Sequence, residues 1–160
     1  MVSSKSPTDS ATLPIQPLDR LKWEHARLID GVGRLQLLAG GDGPDYDGIC
    51  AEATAVLKAL EYHQEAEERF LFPLIFEDGE ALLAGLRDEH LEFLLGSDKL
   101  LSLASLGSTA PFAVYLAVFR TNLETHFKKE ESGVFLDAAF SPAQMDVLRI
   151  KFASRKGMDL

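Results

Sequence analysis

The stretch Leu60-Glu61-Tyr62-His63-Gln64-Glu65-Ala66-Glu67-Glu68 decides the fold, because it returns in altered form as Leu123-Glu124-Thr125-His126-Phe127-Lys128-Lys129-Glu130-Glu131. In each copy a glutamate follows a histidine by four residues. Four residues of α-helix turn about 400°, so the two side chains differ by roughly 40° and share one face. Alternating steps of three and four extend that face through Ile49, Ala53, Val56, Leu60, His63, Glu67, Phe70 and Leu74. In the second copy they trace Phe112, Leu116, Phe119, Leu123, His126, Glu130 and Val134. Such a stripe is what a helix turns towards a bundle core.

Two further stripes flank these. One runs Leu18, Leu21, His25, Leu28, Val32, Leu35, and the other Leu83, Leu86, His90, Phe93, Ser97, Leu100. The spacing predicts helices over about Leu18 to Ala39, Tyr46 to Phe76, Glu80 to Leu106 and Ala110 to Phe135. Breakers separate them: Gly40-Gly41-Asp42-Gly43-Pro44, Glu77-Asp78-Gly79 and Gly107-Ser108-Thr109. Pro73 should kink or end the second helix early. Ser141-Pro142 reads as an N-cap with proline at the first helical position, opening a short last helix to about Ala153. Short connections make consecutive long helices antiparallel, so the expected fold is all-α, an up-down-up-down four-helix bundle with a short C-terminal helix. Residues 18–160 form that domain, and Met1 to Pro17, rich in Ser, Thr and Pro without an apolar segment, reads as a disordered tail.

All four histidines fall on these apolar stripes, one per helix, and Glu67 and Glu130 join them. Counting about 1.5 Å per residue from the turns puts the histidines at matching depths, in one layer. Glu68 and Glu131 point about 100° away, to solvated or supporting positions around the layer. The halves of the chain also match. Glu24-His25, with Gly31 after it, parallels Glu89-His90 with Gly96, and 38 residues separate His25 from His63 against 36 between His90 and His126. Two similar hairpins would each bring two histidines and one glutamate to a shared centre.

That combination asks for metal. A buried unpaired carboxylate costs several kcal/mol and tends to neutralise. Two carboxylates and four imidazoles in one apolar layer are compensated by a pair of cations, with His25, His63, Glu67, His90, His126 and Glu130 as ligands. Nitrogen and oxygen donors without thiolate suit iron, manganese or zinc. Six ligands shared between two ions leave positions where dioxygen, nitric oxide or water can bind. Taken singly, a histidine on an apolar face is more often a hydrogen-bonded core residue, and one His-x-x-x-Glu is commonly a surface pair; the repetition carries the metal reading.

The bulk properties narrow the rest. Cys50 is the single cysteine, which excludes an internal disulfide or a thiolate cage and suits a reducing cytoplasm. A net charge of −9 without a basic stripe argues against nucleic acid, and no apolar run approaches a membrane span.

Glu24-His25, His63 through Glu67-Glu68 to Leu71-Phe72-Pro73, Glu89-His90 and His126 through Glu130-Glu131 together resemble the hemerythrin-like (HHE cation-binding) family, over about Leu18 to Phe135. The resemblance implies a four-helix bundle around two non-haem iron ions, oxo- or hydroxo-bridged, with Glu67 and Glu130 as the bridging carboxylates. The chain departs from the oxygen-carrying members. They place two histidines four apart on the third helix, where His90 here has Leu86 and Leu94 at those offsets. They also use an aspartate on the fourth, where this chain has Glu130. The four-histidine, two-glutamate set is more similar to the di-iron domain of bacterial iron-centre repair proteins and to the iron-sensing domain of a eukaryotic F-box protein. The ferritin-like Glu-x-x-His pattern is absent. Three functions compete: a module that binds or senses dioxygen, nitric oxide or iron; a di-iron enzyme that reduces nitric oxide or peroxide, or donates iron for centre repair; and a metal-free interaction domain. No redox cysteine pair or electron-donor site stands out, which favours binding over turnover.

Overall fold

The computed structural model describes residues 16–75 and 80–155. The helices are α1 (Pro17–Ala39), α2 (Tyr46–Ala66), α3 (Glu80–Ser105), α4 (Thr109–Gly133) and α5 (Pro142–Ala153). α2 runs on into a π-helical turn, Glu67–Leu71, and a 3-10 turn, Phe72–Leu74; a second 3-10 turn, Asp137–Ala139, precedes α5. The expected tail lies mostly, and the expected Glu77-Asp78-Gly79 turn wholly, outside the described residues.

Local chemistry accounts for the helix ends. The Asp45 side chain accepts from the Gly48 N–H at 3.1 Å to start α2. Ser141 and Gln144 close a capping box on α5. α3 ends with Gly107 at φ +66°, where the Ser108 N–H donates to Leu103 O and the Gly107 N–H to Ala104 O.

The ring of neighbours runs α1–α2, α2–α3, α3–α4 and back from α4 to α1. One apolar cluster gathers late α1 (Val32, Leu35), early α2 (Ile49, Ala53), late α3 (Leu100, Ala104) and early α4 (Phe112, Leu116). A second gathers early α1 (Leu18, Leu21), Leu71 and Phe72 beyond α2, early α3 (Leu83, Leu86) and Val134 and Phe135 beyond α4. That alternation is the antiparallel bundle. Leu148 and Phe152 of α5 complete the second cluster, so α5 closes that end against α1 and the π turn. The repeat shows in the packing: a Cβ on Gly31 would meet Val56 of α2 at 2.8 Å, and one on Gly96 would meet Phe119 of α4 at 3.1 Å. Both glycines let the two helices of a hairpin approach closely.

The stripes hold in α1, α3 and α4, and in α2 as far as Glu67. Beyond it, Leu71 and Phe72 are buried while Phe70 and Leu74 are only half-buried. A π turn takes more residues per turn than an α turn, which rotates the chain out of the expected register there.

Candidate metal centre

Between the two apolar clusters lies one polar layer. Each of α1 to α4 contributes a histidine, α4 adds Glu130, and the first residue of the π turn adds Glu67. None of the six is more than 4% exposed. The structure brings together every residue that the sequence pattern selected.

Glu67 Oε1 lies 3.1 Å from His63 Nε2 and 3.8 Å from His25 Nε2, while its Oε2 lies 3.4 Å from His90 Nε2. Glu130 mirrors this, with Oε1 at 3.0 Å from His126 Nε2 and 3.4 Å from His90 Nε2, and Oε2 at 3.2 Å from His25 Nε2. Each carboxylate thus spans both pairs of histidines, one oxygen to each pair. Two groups result, His25, His63, Glu67, Glu130 and Glu67, His90, His126, Glu130, with the ligand atoms of each within 4.8 Å of one another.

The outward nitrogens are just as ordered. His63 Nδ1 meets Glu24 at 2.8 Å and His126 Nδ1 meets Glu89 at 2.6 Å, each within one hairpin. His90 Nδ1 meets Glu68 at 2.7 Å and His25 Nδ1 meets Glu131 at 2.9 Å, each between hairpins. A carboxylate accepts, so Nδ1 carries the proton and Nε2 presents a lone pair to the centre. Rings fix the planes: Phe127 stacks on His25 at 3.7 Å, Phe72 on His90 at 5.7 Å, and Phe93 meets the edge of His126 at 5.2 Å.

With neutral imidazoles the centre therefore holds acceptors facing acceptors. The Nε2 atoms of His25 and His63 and all four oxygens of Glu67 and Glu130 are buried with no hydrogen-bond partner among the described residues. His90 Nε2 and His126 Nε2 face one another at 3.1 Å, with both outer nitrogens already committed to glutamates. Buried lone pairs without donors are strongly disfavoured. Cations satisfy all of them at once, and imidazole with carboxylate is a donor set that iron, manganese and zinc accept. The residues present fit such a metal pair.

Without metal, protons do part of that work. Burial opposes charge on His63, but Glu67 and Glu24 outweigh it and raise its pKa to about 10. On His90 burial is outweighed by Glu130 and Glu67, again to about 10. Burial and the neighbouring Glu67 oppose ionisation of Glu130, yet His126, His25 and His90 pull it down to about 2. Glu67 is held well below the usual carboxylate range by His63, His25 and His90, against burial.

Sequence reasoning missed the roles of Glu24 and Glu89, although the repeated Glu-His pair that contains them was the available signal. Glu68 and Glu131 take the supporting places expected of them, with side chains 40% and 41% exposed. Beside His126, a cleft of about 600 Å³ opens between α3 and α4, with Glu89, Lys129, Tyr115 and Phe119 in its walls. Among the described residues, no helix is long and apolar enough to cross a membrane.

No curated protein shows a significant match to the chain. Residues 16–136 match the hemerythrin HHE cation binding domain, a span that runs from the start of α1 past the end of α4 and contains all six clustered side chains. With that match over most of its length, and a His/Glu cluster able to hold metal at its centre, the chain belongs to the hemerythrin HHE cation-binding family.

Proposed function

We propose that the protein is a di-iron module that binds or senses dioxygen, nitric oxide or iron itself. His25 and His63 hold one ion, His90 and His126 the other, and Glu67 and Glu130 are shared between them. The observation that carries this reading is the convergence of buried acceptors without donors at the centre of the bundle. The span of each carboxylate across both histidine pairs supports two ions rather than one. Zinc or manganese fits the same donors; iron is preferred because the reading includes a diatomic ligand. Bound iron supplies redox chemistry and open positions for such a ligand.

The chain's own side chains orient and dry the site. Glu24, Glu68, Glu89 and Glu131 keep each imidazole proton on Nδ1 and aim Nε2 inwards, and Phe72, Phe93 and Phe127 exclude water. The single cysteine leaves no dithiol relay for repeated reduction, which supports binding over turnover and suits a cytoplasmic setting. The test is reconstitution with ferrous iron, elemental analysis, and spectra before and after dioxygen or nitric oxide. Close to two irons per chain and a spectral change without sustained gas consumption are expected. Continued consumption with an electron donor would move the protein to the enzymes, and failure to retain iron, manganese or zinc would overturn the metal reading.

A further inference from the structure

Arg155 stands two residues beyond α5, yet its side chain is only 4% exposed. Its Nη1 donates to Glu24 Oε1 at 2.8 Å and its Nη2 to Glu24 Oε2 at 3.2 Å, a two-pronged bond. The same Nη2 donates to the Tyr62 carbonyl at 3.4 Å, and the guanidinium lies 4.3 Å over the Tyr62 ring. Glu24 is itself fully buried and meets His63 Nδ1. A closed chain therefore runs from the end of α5 through Glu24 to one histidine of the centre.

Among the described residues, the other hairpin has no such brace. Its counterpart, Glu89, is 26% exposed and takes its cation, Lys129, from the surface of α4. Lysine offers a mobile point charge, whereas arginine fixes both oxygens of a carboxylate in one plane. Partners behind a ligating histidine set its orientation and basicity.

We propose that Arg155 is a positioning residue for the α1–α2 half of the metal centre: the chain just after α5 holds His63 in its metal-facing orientation through Glu24, and so retains metal in that half and not in the other. The inference rests on the two-metal reading above.

The test loads the full chain with cobalt(II), records its visible d–d spectrum, and follows release to excess EDTA. The proteins are the wild type, Arg155→Ala, Arg155→Lys, Glu24→Gln, Arg155→Ala/Glu24→Gln, and Arg34→Ala as a control, since Arg34 pairs with Glu52 at the surface. In Arg155→Ala, one of the two ions should leave severalfold faster, short of the about tenfold expected for loss of Glu24 itself, the partner directly behind the ligand. The second ion should leave at the wild-type rate, and the d–d bands should change for one ion only. Arg155→Lys, which keeps the charge and most of the stem, should fall between the two and covers the case where the alanine variant does not fold. The double variant should release no faster than Glu24→Gln alone, because Arg155 acts through Glu24. Wild-type release of both ions from Arg155→Ala and Arg155→Lys would overturn the proposal. So would equal acceleration of both ions, which would mean that α5 merely stabilises the bundle. A wild type that takes up neither cobalt nor iron, manganese or zinc would overturn the metal reading itself, before any variant is compared.

Discussion

The two hairpins, α1–α2 and α3–α4, carry the same inner pattern in different surroundings. His25 corresponds to His90, His63 to His126, Glu67 to Glu130 and Glu24 to Glu89. Phe72 and Phe135 each follow their glutamate by five residues and stack on a histidine of the other hairpin, at 5.7 Å on His90 and 5.1 Å on His25. The outer carboxylates break the likeness: Glu24 is sealed beneath Arg155, while Glu89 faces a cleft beside Lys129. A repeated motif can thus place equivalent side chains, while different groups pack over each copy. α5 follows only the second copy, yet it braces the first.

Changes at the shared residues should erase the distinction between hairpins and have the largest effect. Glu67→Ala and Glu130→Ala each remove an oxygen from both histidine pairs, so metal content measured by elemental analysis should fall sharply in both halves. His63→Ala should strip one half first.

The next effect should separate the hairpins. Glu24→Ala leaves Arg155 and His63 buried without their carboxylate, and loss of one member of a buried pair costs about 3–5 kcal/mol. Glu89→Ala breaks a partly solvated pair with Lys129, where about 0–1 kcal/mol is typical, and leaves the His126 Nδ1 without its acceptor, about 1–3 kcal/mol more, so its loss should be the smaller. Urea unfolding of both metal-free variants measures the gap, and equal losses would remove the basis of the comparison.

The pH dependence of the metal-free chain should draw on both halves. His63 and His90 rise from 6.5 to about 10 on folding. Their contribution is complete below pH 6.5 and is lost as pH rises through 10. Glu130 falls from 4.5 to about 2, so its contribution is complete above pH 4.5 and is lost as pH falls through 2. Metal-free stability, read from denaturant midpoints, should therefore be highest between about pH 4.5 and 6.5. Metal competes with those protons, so metal uptake at neutral pH should release protons, which calorimetry in buffers of different ionisation enthalpy detects.

The smallest effect belongs to the carboxylates that link the hairpins. Glu68→Ala and Glu131→Ala should weaken metal binding by no more than about tenfold, the low end for such partners, and by similar factors. Competition with a chelator would show it.

The bundle and all six clustered residues were legible in the sequence because both follow from helical period. A residue's angle around its own helix says whether it faces inward, and the repeat says which inward polar residues belong together. Glu24 and Glu89 were harder to place. They bond to histidines on neighbouring helices, which depends on how helices sit side by side. The π turn was not legible either, since Arg69 and Phe70 suit α- and π-helix equally. Lys129 reads as a solvent-facing residue, and it is 47% exposed, but it also pairs with Glu89. Arg155 lay beyond any local pattern, because its place depends on where α5 docks against α1 and the π turn.

The most direct test of the metal pair is an anomalous difference map from crystals of the iron-loaded protein. Two peaks inside the bundle are expected, one against His25 and His63 and the other against His90 and His126, both touching Glu67 and Glu130. A single peak, or iron bound only at the acidic surface while the central layer stays empty, would contradict the two-metal centre.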